Sequence, residues 1–212
     1  MKSKLTPSMK NKITKGWNTH FPGMGIYKPM WLMNICGPLA VGILLQDKYD
    51  KTVYTPLLHI HNLCLDFSAV SLGVSIETEN IPVSDDEEVY TGCISKLKKE
   101  TYIPLEGTID LNGLLMSMKA YFSKAWYKSE LLSYMIYLAA WSGAGSVFED
   151  IYSYVTEKIE DCNEIMQLRN RKEKWLSSIP HDLSCTDTLR KKVKEQEDKL
   201  KLADLPHREM IF

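Results

Sequence analysis

The segment of this sequence that most invites a chemical reading is His59-Ile60-His61-Asn62-Leu63-Cys64-Leu65-Asp66. In an extended strand, side chains alternate between faces, so His59 and His61 would share one. Two imidazoles one pleat apart can share a divalent metal, with Asp66 or His20 completing the ligand set. Such a centre would activate water as a Lewis acid, which makes a metal-dependent enzyme one functional expectation. The plainer expectation is a pair of partly buried histidines bonded to backbone or tyrosine. An HxH pair is a common accident, and no second ligand cluster with recognisable spacing accompanies it. Cys64 or Cys93 beside one of these imidazoles would make a nucleophile pair, but the sequence does not bring them together.

Other motifs read structurally. Trp141-Ser142-Gly143-Ala144-Gly145-Ser146 resembles a nucleophile elbow only superficially, because the spacing is wrong. No Walker lysine follows it, and Glu149 and Asp150 would repel a phosphate at the helix start. Ser146-Val147-Phe148-Glu149 instead fits a capping box. Gly23-Met24-Gly25 does not extend to GxGxxG. The acidic run Ser84–Glu88 lacks the alternating oxygen ligands and the glycine of a calcium loop.

Arg169, Arg171, Lys172 and Lys174, ending at Trp175, form a basic patch that could bind nucleic acid through phosphates and stacking. The expected setting is the last turn of a helix, where the dipole favours cations regardless. Lys2, Lys4, Lys10, Lys12 and Lys15 make a basic N-terminal arm, read as a frayed tail or short surface helix, with a phosphate-contacting or membrane-surface arm as the sharper reading.

The elements that must position these residues fall into two halves. Ile26–Ile35, Leu39–Leu45 and Thr52–Leu65 have extended character, with Gly37-Pro38 as punctuation and Pro56 marking an edge, bulge or break. Val70, Leu72, Val74 and Ile76 alternate with Ser71, Gly73, Ser75 and Glu77, the pattern of a half-buried strand. Val89–Tyr102 fits helix or strand. Asp110 is a good N-cap for a helix whose inner stripe includes Leu111, Leu114, Leu115, Met118, Phe122, Ala125 and Trp126. Ser129–Trp141 is apolar nearly all round and should be the central helix. Another helix is expected from Ser146 to about Leu168. After a linker around Pro180, Asp187–Ala203 carries a thin apolar stripe of Leu189, Val193 and Leu200. Such a helix is marginal alone and must dock on the body or on a partner.

The predicted fold class is therefore α+β: a mostly antiparallel N-terminal sheet of four or five strands, then about four helices packed on it. Expected boundaries are a basic arm over 1–16, one α+β domain over 17–176, and a linker with a polar C-terminal helix over 177–212. The uncharged runs Pro29–Gln46 and Leu131–Phe148 approach membrane-spanning length, but glycine-containing breaks split each in two, so a membrane protein is not expected.

The chain has 212 residues, 26 basic and 27 acidic side chains, and a formal net charge of −1. No global field therefore favours nucleic acid or an anionic membrane. Five irregularly spaced cysteines without CxxC argue against a disulfide framework and for reduced thiols, hence a cytoplasmic expectation. Five tryptophans, with many tyrosines and methionines, exceed what a small core needs and suit interface anchors. The leading expectation is a non-catalytic protein that binds another protein: an inhibitor, immunity-type protein, adaptor or complex subunit. Homo-oligomerisation is compatible with it. The metal-dependent enzyme is the second expectation and a nucleic-acid-associated accessory protein the third.

Overall fold

A computed structural model describes residues 4–49, 51–72, 76–84, 88–163 and 171–212. The fold is α+β, with an antiparallel sheet formed early in the chain and helices following it. Helix α1 (Pro7–Thr19) precedes strands β1 (Gly25–Lys28), β2 (Trp31–Cys36), β3 (Leu39–Asp47) and β4 (Val53–Asn62), and the short strands β5 (Ile76–Glu77) and β6 (Ile81–Pro82). Then come α2 (Glu88–Glu100), β7 (Ile109–Asp110), α3 (Leu111–Tyr121), α4 (Lys128–Ser142), α5 (Gly145–Lys158), α6 (Arg171–Ser178) and α7 (Thr186–Leu200). Strands β8 (His207–Arg208) and β9 (Met210–Ile211) follow.

The sheet runs β1-β2-β3-β4-β5, with β6 also on β4 and β8 on β2. Its heart is the long β3–β4 pair, in register from Leu39↔Asn62 to Asp47↔Tyr54. Gly37 takes φ +53 in the β2–β3 turn, a region where glycine alone is unstrained. Pro56 pairs inward with Leu45. On its outer side it separates the stretch paired with β5 from the stretch paired with β6, and its carbonyl accepts from the Thr78 N–H. The proline thus sits at the break between two short edge strands.

Helix α1 is capped by Thr6, whose Oγ1 accepts from the Met9 N–H at 3.2 Å. Lys4, Lys10, Lys12 and Lys15 of the expected arm lie on or beside this helix, while its other face buries Ile13 and Trp17. Trp17 stacks between Phe21 and Tyr90 and donates its indole N–H to the Tyr54 hydroxyl at 3.1 Å. Helix α4 is the most buried helix face by face, from Leu131 to Ala140, as its all-round apolarity requires. Its C-terminus is closed by Gly143 at φ +78 and by Arg190 of α7. The guanidinium donates to the carbonyls of Trp141 (3.2 Å) and Ser142 (2.9 Å). Among the described residues no helix is long and apolar enough to cross a membrane.

Four local expectations are corrected. Val70–Leu72 is not strand: the Ser71 N–H donates to His61 Nδ1, and of the described residues in this stretch Ile76–Glu77 pairs with β4. Gly73–Ser75 lie outside the described residues. The capping box at Ser146 is not made, because α5 begins one residue earlier, with Ala144 at the cap and no side-chain hydrogen bond there. The helix expected to reach Leu168 ends at Lys158 and closes in a short 3-10 turn over Ile159–Asp161. Finally, α3 stops at Tyr121, so Ala125 and Trp126 fall beyond its inner stripe. Asp110 does cap α3: its Oδ2 accepts from the Gly113 N–H at 2.7 Å.

Candidate functional site

His59 and His61 lie on β4 opposite Gly42 and Ala40 of β3. The small cross-strand partners leave room for two rings on one face of the sheet. A Cβ placed on Gly42 would stand 2.4 Å from His59 Nε2, so the His59 ring lies directly over the glycine backbone. The Trp31 indole N–H donates to His59 Nε2 at 2.7 Å. An indole nitrogen can only donate, so Nε2 must hold the lone pair and the neutral ring carries its proton on Nδ1. The same logic fixes His61. The Ser71 backbone N–H donates to its Nδ1 at 3.0 Å, which puts the ring proton on Nε2. The Ser71 hydroxyl continues the network towards Tyr134, whose hydroxyl donates to the Ile60 carbonyl at 3.3 Å. His61 also packs on Phe67, with ring centroids 5.0 Å apart.

Both imidazoles are fully buried, and burial pushes both towards the neutral form. His59 is lowered to about 3, by desolvation first and by neighbouring His61 second. His61 is lowered to about 4, by desolvation. A divalent ion binds imidazole through a lone pair. Here both lone pairs are already engaged, one by Trp31 and one by Ser71, and the remaining nitrogens present protons. The other two residues expected in the ligand set have separate roles. Asp66 accepts from Lys199 at 2.6 Å and from Gln196 at 2.9 Å, tying the connection after β4 to α7; the Lys199 bond, above all, lowers its pKa. His20 packs edge-on against Tyr90. Among the described residues, no three or more His, Cys, Asp or Glu side chains form a group able to hold an ion. Cys64 and Cys93 are both buried thiols, each pushed up by burial, so neither is poised as a thiolate.

Of the basic patch, Arg169 lies outside the described residues. Arg171, Lys172, Lys174 and Trp175 sit on α6, not in the last turn of the preceding helix. Lys172 pairs with Glu160, and Trp175 packs partly against the core. The basic side chains are therefore divided between an ion pair and solvent, with the indole turned inward. Leu189, Val193 and Leu200, expected as a stripe for a partner, are buried in this chain's own core. Polar Gln196 joins them because its amide reaches the Phe67 N–H (3.3 Å) and Asp66.

Helical spacing alone did not show the exposed aromatic pair between α3 and α4. Trp126 is 87 % exposed and Tyr127 59 %. The chain around them is held: the Ala125 N–H donates to the Phe122 carbonyl, and the Leu131 N–H to the Tyr127 carbonyl. Lys128 lies over the buried Phe122 ring, 5.3 Å from its centroid, a cation–π contact. The pair is thus displayed on a short bend between two hydrogen-bonded helix ends, and Met116 on α3 is another large apolar side chain in water, 71 % exposed. A signal was present in the sequence: Lys124 and Lys128 bracket the pair and interrupt the apolar run.

Comparison with protein-family models, with curated proteins and with solved structures finds no match to this chain.

Proposed function

We propose that this chain works by binding another protein, with Trp126 and Tyr127 as the anchor. The observation that carries the reading is the near-complete exposure of Trp126 on the bend between two hydrogen-bonded helix ends. A tryptophan in water forgoes the burial that most stabilises large aromatic side chains. Tryptophan and tyrosine dominate the residues whose truncation most weakens protein complexes. A fixed backbone lowers the ordering cost of presenting them. Lys124 is exposed beside the pair and Lys128 half-buried, so the complementary surface is an apolar pocket with an acidic rim.

The test compares partner capture by the wild-type chain and by Trp126→Ala/Tyr127→Ala, side by side, with sedimentation to detect self-association. Loss of a specific partner, or of a self-associated species, from the double variant supports the reading. A partner retained at equal yield refutes it.

A further inference from the structure

A second surface includes Trp31, the residue whose indole N–H bonds His59. Tyr27 and Trp31 from the first two strands, Ser68 and Val70 from the connection after β4, and Lys199 and Lys201 at the end of α7 line a groove of ≈ 530 Å³, with Lys28 at its lip. Its parts are fixed by contacts from three directions. The Tyr27 hydroxyl donates to the Leu200 carbonyl at 3.0 Å, joining the edge strand to the end of α7. Tyr27 and Trp31 meet edge to face, with centroids 5.3 Å apart and planes at 83°. Trp31 is held from behind by His59. Lys201 takes a left-handed φ of +58 as the helix cap, its N–H satisfied by the Asp198 and Glu197 carbonyls.

The charges in the groove are lopsided. Lys199 is neutralised by Asp66. Lys28 rests over the faces of Tyr27 (4.7 Å) and Trp31 (5.9 Å). Among the described residues, neither Lys28 nor Lys201 has an acidic partner within ion-pair distance. Two uncompensated ammonium groups therefore flank two half-exposed aromatic rings carried on the neighbouring strands β1 and β2.

We infer that this groove binds a nucleoside phosphate, free or within a single strand. The base would stack on the face of one of the two rings and meet the other edge-on, and Lys28 and Lys201 would take the phosphate. Flat π-faces suit any base, and ammonium groups suit phosphate, so the chemistry selects the class and not the sequence. Lys28 can swing from the ring face to the phosphate because its stem is flexible. The inference stands independently of the Trp126 surface.

The experiment uses the full chain and a labelled oligothymidylate at low salt, read by fluorescence anisotropy. Thymidine monophosphate, inorganic tripolyphosphate and an oligoglutamate serve as competitors. The key variant is Lys28→Gln/Lys201→Gln. Both positions are exposed, and glutamine avoids disturbing the Lys199–Asp66 pair. The expected result is binding that weakens about 10-fold in the double variant, with a log–log salt slope shallower by roughly 0.7, since the two ammonium groups share one strand phosphate and each neutralised phosphate contributes about 0.7. Competition by the monophosphate as strong as by the oligomer identifies the mononucleotide as the ligand. Stronger competition by the oligomer identifies the strand. Absence of binding at low salt overturns the inference. So does an unchanged salt slope in the double variant, which would locate binding elsewhere. Competition by tripolyphosphate or oligoglutamate equal to that of the oligomer also overturns it, because the rings would then contribute nothing.

Discussion

Lowering the pH from 7 to 5 is expected to destabilise this fold through His59 and His61, and the size of the effect follows from their surroundings. Each imidazole has an ordinary pKa of 6.5, and burial lowers it to about 3 for His59 and about 4 for His61. Above pH 6.5 both rings are neutral in the folded and unfolded chain, and neither biases folding. Below 6.5 the unfolded chain takes up protons that the folded core excludes, so stability falls with pH until the folded values are reached. At pH 5 the gap below 6.5 is 1.5 units, which at 1.36 kcal/mol per unit is ~2 kcal/mol per imidazole and ~4 kcal/mol for the pair. That is a large part of the roughly 5–15 kcal/mol by which domains are stable. Glu130 and Glu197 shift the balance the other way, since burial raises both carboxyls. The measurement must therefore be a difference. Urea unfolding of the wild type and of His59→Gln, which keeps an acceptor for the Trp31 indole, is followed by circular dichroism between pH 5 and 7.5. The wild type should lose ~2 kcal/mol more than the variant over that range. Equal pH slopes in the two proteins would mean that the His59 ring is protonated in the folded state, and the buried, tautomer-fixed pair would be wrong.

Three further outcomes are expected. Gly42→Ala places a Cβ 2.4 Å from His59 Nε2 and 2.9 Å from Met33 Cγ in the centre of the sheet. It should cost about 2–4 kcal/mol, from overpacking plus the strained Trp31–His59 bond; a urea midpoint unchanged from wild type would contradict the close approach. Arg208 donates to the carbonyls of Pro104, Glu106 and Gly107 and so pins the Pro104–Gly107 loop to the C-terminal strand. Arg208→Ala should lose about 2 kcal/mol and speed amide exchange at Ile109, whose N–H donates to the Glu209 carbonyl; unchanged exchange there would show that the loop does not depend on the clamp. Trp126→Ala should leave the unfolding free energy within about 0.5 kcal/mol of wild type while abolishing partner capture, because the indole touches little of its own chain. A strongly destabilised variant would assign Trp126 to the core.

The division between what local sequence determines and what the tertiary structure decides is visible residue by residue. Leu39–Leu45 forms a central strand and Ser129–Trp141 the buried helix because hydrophobic patterning is a local code for which faces avoid water. Asp110 caps α3 because a carboxylate at that position meets an exposed N–H within three residues. The α+β class follows from the same patterning. Even the shared face of His59 and His61 follows from alternation.

Long-range partners were not encoded locally, and they changed the meaning of nearly every candidate residue. Trp31 and Ser71 take the imidazole lone pairs from 28 and 10 residues away. Capture of the Ser71 N–H ends a strand that its alternation otherwise favours. Lys199 and Gln196 claim Asp66 across 133 and 130 residues. Leu189, Val193 and Leu200 read as a docking stripe until the body of the same chain covers them. Trp126 fits a helical stripe by spacing, but the helix stops five residues before it. Periodicity reports only what each segment would prefer to bury. Which surface covers that segment, and which lone pair a distant donor occupies, is set when the elements pack together.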